Sequence, residues 1–179
     1  MASIARTKAT ASPHDALVLL TAGNDEIGKL ALEFGRRRHN ADKIEKGKLA
    51  LRVCHTFARQ ALVKKQVFYP AAEAVLEGEA KELLVKLRIE QDELMHLALK
   101  IENMPADGAD FEAAVLVLAE HAAQHARREE DELFACLRHS RLDLLGTGER
   151  MAALEAELAT APMRRRQIHR ARKVMAGSG

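Results

Sequence analysis

The chain has 179 residues, 47% of them hydrophobic and 30% charged, with a formal net charge of +2. That size and mixture suit one soluble globular domain, and the near-neutral balance excludes a general polyanion binder. No apolar run approaches the roughly 20 residues of a membrane span, and the N-terminus has no apolar signal core.

Cys54 and Cys136 have no CxxC spacing and read as reduced thiols of a cytoplasmic protein. Ala, Leu, Glu, Lys and Arg dominate, which favours helix.

Residues 1 to 12 are small and polar and read as a disordered N-terminus. Ser12-Pro13 is a helix-start signal, with serine as cap and proline at the first helical position. A first helix then runs to about His39, with Leu17, Leu20, Asn24, Ile27, Ala31 and Phe34 on its inward stripe. A second helix covers about 43 to 69 and stops or kinks at Pro70. Its stripe is Leu49, Val53, Phe57, Gln60, Lys64, Val67 and Ala71. A short extension reaches about Leu76, before Gly78.

A third helix spans about 79 to 103, with Leu84, Leu87, Gln91, Leu94, Ala98 and Ile101 inward. Met104-Pro105-Ala106-Asp107-Gly108 is a loop. Asp110 caps a fourth helix from Phe111 to about Ser140, whose stripe is Phe111, Val115, Leu118, Ala122, His125, Glu129 and Leu133. Gly146 and Gly148 precede a shorter helix at about 149 to 159, closed by Ala161-Pro162. Residues 161 to 179 form a flexible basic tail, with Arg164, Arg165, Arg166, Arg170, Arg172 and Lys173. No β-pattern occurs. Four helices of about 25 to 30 residues on short loops predict an all-α, up-down-up-down antiparallel bundle with a short fifth helix, over residues 13 to 160.

Each stripe is apolar except in one place: Asn24, then Gln60 with Lys64, then Gln91, then His125 with Glu129. These positions lie at similar depth, roughly 10 to 20 Å from one end of the bundle at 1.5 Å per residue. The expectation is a polar layer inside an apolar core. Burying such groups is costly unless they find partners.

At these positions the chain resembles the hemerythrin-like (HHE cation-binding) family, over about residues 14 to 160. The text that carries the likeness is Asp15-Ala16-Leu17-Val18-Leu19-Leu20, Val67-Phe68-Tyr69-Pro70-Ala71, Glu129-Glu130-Asp131-Glu132-Leu133-Phe134 and Leu142-Asp143-Leu144-Leu145-Gly146. The resemblance implies a four-helix bundle around a non-haem, usually di-iron, centre that serves in O2 binding, iron or oxygen sensing, or nitric oxide responses. Its ligands would be a histidine on the first helix, HxxxE on the second, histidine on the third, and HxxxE or HxxxD on the fourth. Here the first position is Asn24, the second pair is Gln60 and Lys64, and the third is Gln91, with Met95 a turn later; only His125 and Glu129 keep ligand chemistry. Carboxamides are weak ligands for iron, and an ammonium repels it. The reading is a degenerate metal site in which Lys64 pairs with Glu129, in a non-enzymatic interaction or regulatory protein with no cofactor. The alternative is an iron-binding member, di-iron or mononuclear, with His125 and Glu129 as ligands, that senses or carries O2, NO or iron.

Other features read more simply. His121-xxx-His125-xxx-Glu129 could clip a zinc or nickel ion, against a solvated histidine on a helix flank. His55 and His96 fall off the polar layer, and Tyr69 reads as hydrogen-bonding near the bundle end, in a packing rather than a redox role. The basic tail lacks aromatic interleaving, so nucleic acid has little to grip. A protein partner or a homodimer fits the reading. No nucleophile constellation or phosphate loop supports an enzyme.

Overall fold

The computed structural model describes residues 12–160; the expected disordered N-terminus, except Ser12, and the expected basic tail lie outside them. Helices α1 (Ala16–Arg37), α2 (Lys43–Val63), α4 (Gly78–Glu102) and α5 (Phe111–Arg128) form the bundle. Two of them continue through a π-helical turn into a short α-helical piece. After α2 come Lys64–Phe68 and α3 (Tyr69–Glu73); after α5 come Glu129–Leu133 and α6 (Phe134–Arg138). Helix α7 (Leu144–Thr160) packs across α1, α2 and the first π-turn. Contacts of α1 with α2 and α5, and of α4 with α2 and α5, close the ring that short antiparallel connections demand.

The helix ends depart from the sequence expectation where local hydrogen bonds decide them. Helix α1 begins later than Ser12-Pro13 suggests. Asp15, with extended backbone, accepts from the amides of Leu17 (2.8 Å) and Val18, satisfying donors that a helix start otherwise leaves open. The 12–15 segment is a turn closed by Asp15 N–H to Ser12 O at 2.9 Å. Asp42 caps α2 through the amide of Glu45 at 2.8 Å. Asp110, expected as a cap, makes no side-chain capping bond. The last helix begins five residues earlier than expected, at Leu144 rather than 149, because Asp143 accepts from the Gly146 amide at 2.9 Å.

The stop expected at Pro70 is also absent: α3 runs through that residue. The i→i+5 bond from Tyr69 N–H to Lys64 O widens the helix just before the proline, which has no N–H to contribute. The same insertion moves the inward stripe on by one residue. Val67 and Ala71, expected inward, are half-buried, while Phe68, Tyr69 and Ala72 are buried.

The core is two apolar plugs on either side of a polar belt. One contains Ile27, Phe34, Val53, Phe57, Leu94 and Leu118. The other contains Leu20, Phe68, Leu87, Leu133, Phe134 and Met151. Each bundle helix, with its continuation, crosses from one plug to the other: Leu20 to Ile27, Ala61 to Val63, Leu87 to Leu94, Ala122 to Leu133. The buried polar side chains Lys64, Gln91, His125 and Glu129 lie at those crossings.

Helix α7 seals one plug through a close backbone approach. A Cβ on Gly148 would stand 1.8 Å from His14 O and 2.9 Å from Ala16 N, both backbone atoms. Gly148→Ala should therefore cost about 1–3 kcal/mol through overpacking. Gly28→Ala, with nothing within 4 Å, should be neutral or gain up to about 1 kcal/mol from helix propensity. Urea denaturation of the two variants measures the contrast.

Candidate functional site

The belt is assembled by the two π-turns. They begin at Lys64 and at Glu129, and these two residues meet side chain to side chain. The Lys64 ammonium donates to Glu129 Oε2, with the two side chains 3% and 0% exposed. The other carboxylate oxygen, Oε1, accepts from the Tyr69 hydroxyl at 2.8 Å and lies 3.4 Å from His125 Nε2. Tyr69 reaches this centre because the π-turn rotates it inward beside Phe68.

The phenol has one proton and two oxygens competing for it, Glu129 Oε1 at 2.8 Å and Gln91 Oε1 at 3.1 Å. The shorter bond to a carboxylate is the stronger. Gln91 is oriented by its own amide, which donates to Ala61 O at 3.2 Å, just before the π-turn. On the far side of the ring, His125 Nδ1 stands 3.4 Å from Glu90 Oε2, and Glu90 in turn is paired with Arg128. His125 thus connects the interior to a groove of about 210 Å³ lined by Glu90, Glu93, His121 and Gln124.

Electrostatics follow this geometry. Burial alone would push the Glu129 carboxyl up, but Lys64 and His125 outweigh it and hold the group down at about 2. Burial, then the negative charge of Glu129, pushes the Tyr69 phenol well above its ordinary range. Both shifts keep the carboxylate charged and the phenol neutral, the states the hydrogen bonds require.

The sequence-selected residues divide into two groups. Lys64, Gln91, His125 and Glu129 converge in the buried cluster. Asn24 and Gln60 stand at its edge, half-buried. Asn24 donates to Glu130 Oε1 at 2.9 Å and Gln60 to Leu20 O at 3.2 Å. Tyr69 was expected to hydrogen-bond near the bundle end in a packing role; it does hydrogen-bond, but at the centre of the cluster, because the π-turn displaces it. Its one available signal was that a tyrosine, unlike a phenylalanine, needs a hydrogen-bond partner when buried. His121 and His96 are exposed, and His55 is half-buried, 3.5 Å from Glu102. Cys54 is buried and free, its thiol pushed up to about 12 by burial and by Glu102; Cys136 is exposed and free.

The donor set does not fit a di-iron centre. Of the layer residues that the family uses as ligands, only His125 and Glu129 keep imidazole or carboxylate chemistry, and Glu129 is occupied by an ammonium and a phenol. Among the described residues no group of three or more His, Cys, Asp or Glu is arranged to hold a metal ion. Nor is any helix among them long and apolar enough to cross a membrane.

No family model and no curated protein matches this sequence. Among solved structures, the chain is similar to a hemerythrin HHE cation binding domain-containing protein from Mycobacterium kansasii, at 18% identity and a TM-score of 0.66, over 80% of this chain and 86% of that one. The all-helical bundle is therefore hemerythrin-like in fold, as expected from the sequence.

Three measurements probe the cluster. Lys64→Ala strands a buried carboxylate and should cost roughly 3–5 kcal/mol, whereas Lys64→Met with Glu129→Leu should recover most of the loss; an unchanged melting temperature in Lys64→Ala would refute the pair. The pH dependence has a definite sign. The carboxyl of Glu129 is depressed from 4.5 to about 2 on folding. Its contribution is complete above about 4.5 and is lost as pH falls toward 2. Glu129→Gln should flatten the acid limb of the stability curve. At the alkaline end, Tyr69 is the one tyrosine in a chain without tryptophan. Tyrosinate absorbance should therefore appear above the ordinary tyrosine range and coincide with loss of helix.

Proposed function

We propose that this protein is a hemerythrin-like bundle with a degenerate metal site, acting without metal or catalysis as an interaction or regulatory module. The observation that carries the reading is the contact of the buried Lys64 ammonium with Glu129, in the layer where the resemblance places metal ligands. A buried carboxylate needs a cation, and here the chain supplies its own. Hard metals favour carboxylate, carbonyl and water oxygens, and iron favours imidazole and carboxylate. Asn24, Gln60 and Gln91 are carboxamides, and Lys64 adds a positive charge that a second cation must oppose. The absence of a nucleophile constellation from the sequence supports a non-enzymatic role.

The name of the Mycobacterium kansasii protein describes a cation-binding domain. For this chain that reading would rest on His125 and Glu129, with iron used to sense or carry O2, NO or iron itself. The two readings separate by elemental analysis and a visible spectrum of protein purified from iron-supplemented cells. The expected result is less than about one metal in ten chains and no ligand-to-metal band, since one helix supplies too few ligands for a closed site. Stoichiometric iron with such a band would overturn the proposal. Gln60→His combined with Lys64→Glu removes the internal cation and adds two ligands facing His125 and Glu129; that variant should gain metal.

A further inference from the structure

Beside the cluster lies a cavity of about 40 Å³ whose polar lining is Asn24, Gln60, Lys64 and His125. No carboxylate belongs to that lining. Glu129 is paired with the Lys64 ammonium, and Glu130 accepts from the Asn24 amide. The apolar part of the wall includes Ile27 and Phe57. At the α1/α5 seam the wall is made by Gly28, Ala119 and Ala123, with Ala123 exposed. Small side chains there leave an entrance that larger ones would fill.

The second observation concerns the ammonium itself. Lys64 is 3% exposed and has three donor protons. Among the described residues, Glu129 Oε2 is the one hydrogen-bond acceptor in reach of its Nζ. Two of its N–H groups thus have no acceptor among those residues, which is costly unless one is supplied, and Lys64 lines the cavity. The room is that of about three waters, enough for a halide or a triatomic oxyanion.

We propose that this cavity is a binding site for a small monovalent anion of halide, nitrite or formate size, held by Lys64 and the Asn24 and Gln60 carboxamides. The assignment rests on the metal-free reading above and gives such a module a ligand input. A monoanion accepts from the spare ammonium protons and from amide N–H groups, and no carboxylate is among the residues that line the space. Water would satisfy the same donors, but an anion makes charge-assisted, stronger bonds to the ammonium.

The test uses the full-length, isotope-labelled protein, with its metal content measured on the same sample. Sodium formate is titrated at constant ionic strength against sodium gluconate, whose anion is too large to enter. The side-chain amide resonances of Asn24 and Gln60 should shift saturably, and the melting temperature should rise with formate, as ligand binding to the folded state requires. Chloride should compete. Ala123→Leu, an exposed substitution at the entrance, should abolish the saturable response while the backbone spectrum stays native. Lys64→Gln should weaken binding at least about tenfold, the loss of one charge-assisted bond. Should Lys64→Gln not fold, the Ala123→Leu arm decides alone. A linear response that is the same in wild type and Ala123→Leu means the cavity holds water only, and overturns the proposal. Stoichiometric iron in the sample would instead sink the metal-free reading, so the two failures are distinguishable.

Discussion

The contact between Lys64 and Glu129 is the constraint on which the rest of the interior depends. Two opposite charges, both almost fully removed from water, are tolerable only together. They sit on helical rods far apart in sequence, the continuations of α2 and α5. Their meeting therefore fixes both the rotation and the axial position of one rod against the other. Tyr69 and His125 then find places around the carboxylate that remain open, and Gln91 closes the ring from α4. Every bundle helix except α1 contributes to this centre. The first helix reaches only its edge, through Asn24 and the Leu20 carbonyl.

Such a pair is a poor source of net stability, because well-packed apolar residues of similar volume often serve as well or better. Its physical contribution is selectivity. The two apolar plugs are rich in Ala, Leu, Val and Phe, and packed helices of that composition can slide by a turn at modest cost. A slide of one turn would bury an ammonium and a carboxylate against methyl groups, which the desolvation of either ion forbids. The polar belt thus converts a permissive hydrophobic arrangement into one register, as a single buried polar residue does in coiled coils.

Most of the architecture was legible because helical periodicity and loop chemistry are local. The four stripes, the loop at Met104–Gly108 and the interruptions at Lys64, Gln91, His125 and Glu129 follow from spacing alone, and the structure brings those four side chains together. What was not legible lies downstream of a change of period. A stripe drawn at 3.6 residues per turn past Lys64 selects Val67 and Ala71. The i→i+5 turn selects Phe68, Tyr69 and Ala72, and Tyr69 enters the site by that shift. The early start of α7 was missed for a different reason. Gly146 and Gly148 look like breakers in isolation, yet Gly148 is where the helix approaches the His14 carbonyl too closely for any side chain.

The two π-turns tie these points together. Both begin at the charged residues of the pair and both end in an i→i+5 bond, Tyr69 to Lys64 and Phe134 to Glu129. A π-turn is the less favourable conformation and persists where packing on either side over-determines it. Here the plug containing Phe68 and Phe134, whose rings meet edge-on at 6.0 Å, fixes the helices on one side. The other plug, with Phe57 and Ala122, fixes them on the other. Between them the chain must carry one residue more than a regular helix holds, and it does so at the ion pair. The internal cation and the irregular backbone are thus one feature. A lysine long enough to reach Glu129 from a widened helix occupies only part of the layer, and the cavity bounded by Asn24, Gln60 and His125 is the part it leaves.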